Sequence, residues 1–112
     1  MPESGFAQST PKSLRLTRAR QIAIFKALAD PHRFVLLQQI AKAECPLSCS
    51  QALSTLSISA ATLSHHVKEL ETAGLIDISR EGKFAYLALR PGVLEAVAAS
   101  LSALELAAAS RR

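Results

Sequence analysis

What this 112-residue chain lacks narrows its function before any motif is read. It has no stretch of about 20 apolar residues free of charge, so a membrane-spanning helix is not expected. Met1 to Lys12 carries no apolar run of the secretory kind, which makes a cytoplasmic location the expectation. Cysteine is limited to Cys45 and Cys49, and in that compartment reduced thiols are expected rather than a structural disulfide. There is no Gly-rich phosphate loop. The His65-His66 pair has no nucleophile or carboxylate arrangement with catalytic logic beside it, so no enzyme is expected.

Length and composition bound what remains. The chain suits one domain, and its 49% hydrophobic content supports a small core. Residues 1–13 are polar, rich in Pro and Ser and without periodicity, and are expected to form a flexible N-terminal tail before a single domain over 14–110. The net charge of +4 is unevenly placed. Lys12, Arg15, Arg18, Arg20, Lys26 and Arg33 lie in the first third, whereas residues 91–110 carry only Glu95 and Glu105. This asymmetry fits a polyanionic partner. A solvated basic tail and helix face would explain it equally well.

Helix starts are strongly marked. Thr17 can cap a first helix with Ile22, Phe25 and Leu28 on one face, ending near Ala29. Asp30-Pro31 opens a second, with Asp30 as N-cap and Pro31 at the first helical position. Its apolar residues Phe34, Val35, Leu37, Ile40 and Ala41 span a wide arc to about Glu44, so it is expected to be central. Ser48 and Gln51 have the spacing of a capping box for a short third helix through Leu56. After Ser57-Ile58, Ser59 caps a longer helix that ends at Gly74, with Leu75 folding back in the apolar contact that accompanies such an ending.

This longer helix has two different faces. Leu63, Val67 and Leu70, with Ala60 beside them, make the apolar stripe. Ala61, His65, Lys68 and Thr72 point away from it, flanked by Thr62 and Ser64, giving a small, hydroxylated and positive surface suited to reading DNA. A short helix, a tight turn and such a longer helix form the helix-turn-helix arrangement, whose second helix enters the major groove.

After Gly74 the pattern alternates. Leu75, Ile76 and Ile78 lead to a turn at Gly82, and Phe84 through Leu89 returns as a second strand. Arg80 and Lys83 are placed near the hairpin tip, within reach of phosphates if the hairpin is a wing. A merely soluble charged tip is the alternative. Pro91-Gly92 then starts a last helix from Val93 to about Ala109. Leu94, Val97, Leu101, Leu104 and Ala108 repeat at 3-4-3-4 spacing, and the remaining surface is mostly alanine. A helix this apolar on all sides argues for a second copy of the chain.

Lys26-Ala-Leu-Ala-Asp-Pro-His-Arg33, Ala61 through Ile76 and Arg80-Glu-Gly-Lys-Phe-Ala-Tyr86 together resemble the ArsR family of bacterial winged helix-turn-helix repressors, over roughly residues 20–105. The resemblance implies a mainly α fold with a small β-hairpin (α+β), and a homodimer built on the first and last helices. Ile22, Phe25, Leu94, Val97, Leu101 and Leu104 are the interface candidates. It also implies repression at an inverted-repeat operator, with release by an inducer. Groove contacts fall to the segment Ser59 to Lys68, with Ser59, Ala61, Thr62, Ser64, His65 and Lys68 as candidates, and the wing adds Arg80 and Lys83.

The family's sensing sites transfer poorly. Members that sense arsenic or soft metals often carry Cys-x-Cys at the start of the third helix, and this chain has Cys45-Pro-Leu-Ser-Cys49. Its last helix has no His, so the zinc site found there in other members is not expected. Cys49 at a helix start is expected to have a lowered thiol pKa. The two thiols are candidates for a sensor of a metalloid, soft metal or oxidant, with any thiolate-bound metal needing further ligands. One small buried cysteine and one loop cysteine remain the alternative. His65 is read as a DNA contact, His66 as packed and hydrogen-bonded, and His32 as structural; a metal role for these histidines has the least support. The expected partners are double-stranded DNA and a second copy, without a membrane. The rivals are a winged-helix protein-interaction module that does not bind DNA and a repressor with no inducer site.

Overall fold

Four of the helices begin at the side chain that marks their start in the sequence. A computed structural model describes residues 16–111, so the expected tail over 1–13 lies outside the described residues. Thr17 caps α1 (Arg18–Leu28), its hydroxyl accepting from Arg20 N at 3.1 Å. Asp30 caps α2 (Pro31–Lys42) twice over, with Oδ1 accepting from His32 N at 2.8 Å and Arg33 N at 3.1 Å. Ser48 and Gln51 close a full capping box on α3 (Cys49–Thr55). Ser59 caps α4 (Ala60–Thr72) by accepting from Thr62 N at 3.1 Å.

The end of α4 is a Schellman turn. Gly74 N–H donates to Glu71 O and Leu75 N–H to Leu70 O, with Gly74 at φ 85° and Leu75 buried beneath the helix. This fixes the angle at which the chain leaves α4 for β2 (Ile76–Glu81). β2 pairs antiparallel with β3 (Phe84–Leu89) through a turn in which Gly82 takes φ 63° and Lys83 does not go positive. That is a type II′ turn, with the glycine at its first central position.

Two expectations are corrected. The hairpin is part of a three-stranded antiparallel sheet, because β1 (Leu47–Ser48) pairs with β3, giving the order β1-β3-β2. A two-residue strand has no periodicity to read, and its second residue is also a helix cap. In α2 the buried residues are Leu36, Leu37 and Ile40, whereas Phe34, Val35 and Ala41 are exposed. At about 100° per residue, Leu36, Leu37 and Ile40 share one face. Arg33 falls on that same face, and Phe34 and Val35 fall on the opposite one. The helix stops at Lys42, short of Glu44.

The core gathers Ile24 from α1, Leu36 from α2, Leu70 from α4, Leu75 and Ile76 at the start of β2, and Leu87 from β3, all fully buried. Ala60, expected beside the apolar stripe, is exposed. The last helix, α5 (Val93–Ala109), gives only Val93 and Val97 to this core. From Leu101 to Arg111 every residue is exposed, so more than half of a helix about 25 Å long stands clear of the other described elements. No helix among the described residues is long and apolar enough to cross a membrane. Among the described residues, five helices and this small sheet make a winged helix-turn-helix, with α3 and α4 as the paired helices and β2–β3 as the wing.

Candidate nucleic-acid interface

The outer face of α4 is assembled from short side chains because its inner face takes all the large ones. Leu63, Val67 and Leu70 are buried, which turns Ala61, Ser64, His65, Lys68 and Thr72 outward, all exposed as the spacing predicts. Thr62 is half-buried. Ser59 Oγ accepts from Thr62 N and donates to Thr62 Oγ1 at 3.0 Å, so the Ser59 hydroxyl is committed to the cap. Thr62 keeps its own hydroxyl proton free to donate outward. Of the two, Thr62 is therefore the better placed to meet a phosphate or base edge.

Lys83 sits in the wing turn and is exposed. Arg80 lies one pair from the turn, opposite Ala85, and lines a cleft between α3, α4 and the wing. The cleft measures about 310 Å³ and is walled by Leu53, Leu63, Val67 and Ile78, with Lys68 and Ser64 at its α4 side. Phe84, beside the turn, is a half-exposed aromatic ring that the sequence reading passed over.

Behind the recognition face lies a polar cluster that local reasoning did not assemble. His66 is buried, with Nδ1 3.4 Å from Arg33 Nη1 and Nε2 4.0 Å from Asp30 Oδ1. Burial pushes the His66 pKa below its ordinary value, against the pull of Asp30. The Asp30 carboxyl is held below its ordinary range, first by the backbone N–H of Arg33. Arg33 itself is anchored by Nε donating to Ala27 O at 2.7 Å. His66 is thus packed and polar-paired as expected, but His32 joins it, the two rings lying 6.0 Å apart. The Asp30-Pro-His-Arg33 run carried the signal, though only its capping role was legible.

The cysteines do not behave as their place at a helix start suggests. Cys49 lines the α3–α4–wing cleft, and burial there raises its pKa, with the Arg80 guanidinium offsetting part of the rise. The direction is opposite to the expected lowering, because burial disfavours the charged thiolate. Cys45 is exposed in the loop after α2 and borders different clefts, beside Pro46 and Leu87 or Tyr86. Both are free thiols. Among the described residues, the group of three metal-ligand side chains that comes together is Asp30, His32 and His66, and neither cysteine is in it.

The proposed interface residues divide in two. Val97 is buried in its own chain and Phe25 packs against that core. Ile22, Leu94, Leu101 and Leu104 are exposed, Leu104 by 68%.

Comparison with known proteins agrees with this architecture. Residues 28–78 match a family described as a helix-turn-helix domain. Over 80 residues the chain is 32% identical to the uncharacterized HTH-type transcriptional regulator YceK of Bacillus subtilis (strain 168), covering 64% of this chain and 80% of that one. It is 31% identical over 83 residues to a transcriptional repressor SmtB homolog of Synechocystis sp. (strain ATCC 27184 / PCC 6803 / Kazusa), covering 73% and 61% of the two chains. In fold it is similar to an ArsR-like transcriptional regulator from Rhodococcus sp. RHA1, with a TM-score of 0.73 at 22% identity over 83% of this chain and 86% of that one.

Proposed function

Because this chain belongs to the ArsR family of helix-turn-helix transcriptional regulators, which bind DNA and are not enzymes, we propose that it is a homodimeric repressor of an inverted-repeat operator. The observation that carries this reading is the outward face of α4, where Ala61, Ser64, His65 and Lys68 stand exposed beside the wing. Small and hydroxylated side chains let the helix approach base edges closely, and the cationic ones meet phosphates. In this reading Ala61, Thr62, Ser64 and His65 read the groove. Ser59 sets the helix start, and Lys68, Arg80 and Lys83 supply charge.

A second copy is the partner that best fits the unpacked half of α5. Leu94, Leu101 and Leu104, with Ile22 of α1, form an apolar surface that a second copy would cover by the same surface of its own. Two recognition helices related by a twofold axis read half-sites about one helical turn apart, or a multiple of it. The unit is residues 14–110, with residues 1–13 as its tail.

For release, we place the inducer contact at Cys49. Its thiol shares a cleft with Arg80 of the wing and Ser64 and Lys68 of the recognition helix, so a metalloid, soft metal or oxidant bound there would move groups that face DNA. Cys45 borders separate clefts, which puts the pair's joint action second.

Fluorescence-anisotropy titration of DNA from upstream of the protein's own gene, against a scrambled duplex, tests the reading. Lys68→Ala and Lys83→Ala should each flatten the dependence of log K on log salt by about 1.8 for the dimer, about 0.9 from each copy, whereas Ser64→Ala should change sequence preference. Absence of salt-dependent binding to DNA would overturn the DNA reading in favour of a protein-interaction module. Repeating the titration with arsenite, cadmium, zinc and peroxide tests release. An unchanged response in the Cys45→Ser, Cys49→Ser double variant would remove the thiol switch.

A further inference from the structure

We propose that Asp30, His32 and His66 form a binding site for a divalent first-row transition ion of the zinc class, joining the start of α2 to the middle of the recognition helix. One ligand atom from each of the three side chains lies within 4.8 Å of the others. Two imidazoles and a carboxylate, with water in the fourth position, are a tetrahedral zinc donor set. Bonds of about 2.1 Å put tetrahedral ligands about 3.4 Å apart. His66 Nε2 and Asp30 Oδ1 are 4.0 Å apart, so side-chain rotation closes the site without moving backbone.

The three ligands are held to different degrees, as an open site requires. His66 is buried in α4, so its ring is held in place by the surrounding core. Asp30 is oriented by the His32 and Arg33 N–H groups on Oδ1, which fixes where Oδ2 can point. His32 is exposed and can swing to close the site, leaving an entry path from solvent.

Arg33 is the competitor. With Nη1 at 3.4 Å from Nδ1, the guanidinium donates to His66 and keeps the ring proton on Nε2. Metal binding moves that proton to Nδ1 and gives the Nε2 lone pair to the ion, with no net change in ring protonation. Arg33 Nη1 then turns away, while its Nε and Nη2 retain the carbonyls of Ala27 and Lys26. Loss of that contact and the nearby positive charge hold the affinity to a moderate value.

An ion here would pin α4 against α2 directly behind His65, and its occupancy would alter operator affinity. This consequence rests on the repressor reading above, but the site itself does not.

Cobalt(II) titration of the full-length protein carrying Cys45→Ser and Cys49→Ser, followed by ligand-field absorption, reads the site without thiolate competition and without DNA. One tetrahedral cobalt per chain, displaced by zinc, is expected. Asn caps a helix as well as Asp does, so Asp30→Asn removes the charged ligand with the cap retained. Asp30→Asn and His32→Gln should each weaken cobalt binding more than about tenfold, with the metal-free circular dichroism unchanged. Absence of the tetrahedral spectrum, or affinity that neither variant alters, would overturn the site. Anisotropy titrations with and without zinc then address regulation: a zinc effect in the parent that His32→Gln lacks supports it, and an equal effect in both overturns it. Failure of DNA binding leaves the cobalt result standing, and failure of cobalt binding leaves the repressor reading standing.

Discussion

The guanidinium of Arg20 donates from Nη1 to the carbonyl oxygen of Ala73 at 3.4 Å, so the first helix reaches across to hold the C-terminus of the recognition helix. A cation at that end is doubly favourable, satisfying a carbonyl left unpaired by the helix and opposing its negative pole. On its other side α1 meets α5, where Gln21 Nε2 donates to Ser100 Oγ at 2.9 Å. α1 therefore touches both the helix proposed to meet a partner and the helix proposed to read DNA.

Gly74 tests the first of these contacts. Its φ of 85° is a conformation that L side chains resist, and a Cβ there would meet Arg20 Nη1. The strain of forcing alanine into the left-handed region is about 1–2 kcal/mol. Displacing Arg20 adds up to about 1 kcal/mol, because its tip is flexible and can find water. Denaturant melts of Gly74→Ala should show a loss dominated by strain. In the Arg20→Ala background the same change should cost slightly less, and a larger cost there would mean that Arg20 does not occupy the space above Gly74.

The exposed half of α5 leads to a separation of stability from assembly. Leu101 and Leu104 are 47% and 68% exposed in the single chain, so charged replacements at both should disturb the fold of one chain by no more than about 0.5 kcal/mol each. Two carboxylates facing two more across a twofold axis would be desolvated and mutually repelled. Light scattering coupled to size exclusion should find Leu101→Glu, Leu104→Glu as a folded monomer with weakened operator affinity. A dimer of undiminished stability would place the interface elsewhere.

Local chemistry was the most legible part of this chain. Thr17, Asp30, Ser48 and Ser59 each act within three residues of their targets, and each caps the helix that its position announces. Gly74 and Gly82 likewise meet conformations that few other residues tolerate. What depended on distant partners was not legible. Leu36 and Phe34 are equally apolar, and only the direction of the neighbouring core decides that the first is buried and the second exposed. β1 exists because Leu47 and Ser48 find Leu87 and Tyr86, nearly forty residues away. The approach of His66 to Asp30 and Arg33 spans a similar distance, and no spacing rule announces it.

Acid should weaken this fold in two stages, and the signs agree. His66 has a folded pKa below its ordinary value of 6.5, so as pH falls below 6.5 the unfolded chain takes up the proton first. Stability is then full above 6.5 and declines down to the folded pKa of His66. Asp30 also has a folded pKa below its ordinary 3.8, so its contribution is full above 3.8 and is lost as pH falls through the folded value. Urea melts in EDTA across this range should show both declines. His66→Gln should remove the upper one relative to its own neutral-pH stability, and Asp30→Asn the lower. A stability that rises on acidification below 6.5 would mean that His66 is bound as a cation.

The thiols should differ in reactivity in the order opposite to their helix positions. Cys49 sits at the first turn of α3, where a dipole argument alone makes it the more acidic. Its side chain nevertheless lies in the cleft behind the recognition helix, and burial raises its pKa above the ordinary 9.0 while Arg80 pulls it partly back. Cys45 is exposed and has free access to reagent. Since the thiolate is the nucleophile, iodoacetamide at neutral pH should alkylate Cys45 first and Cys49 slowly, as peptide mass spectrometry over a time course can resolve. Arg80→Ala should slow Cys49 further, because that guanidinium favours its thiolate. Faster labelling of Cys49 would mean that its helix dipole outweighs desolvation.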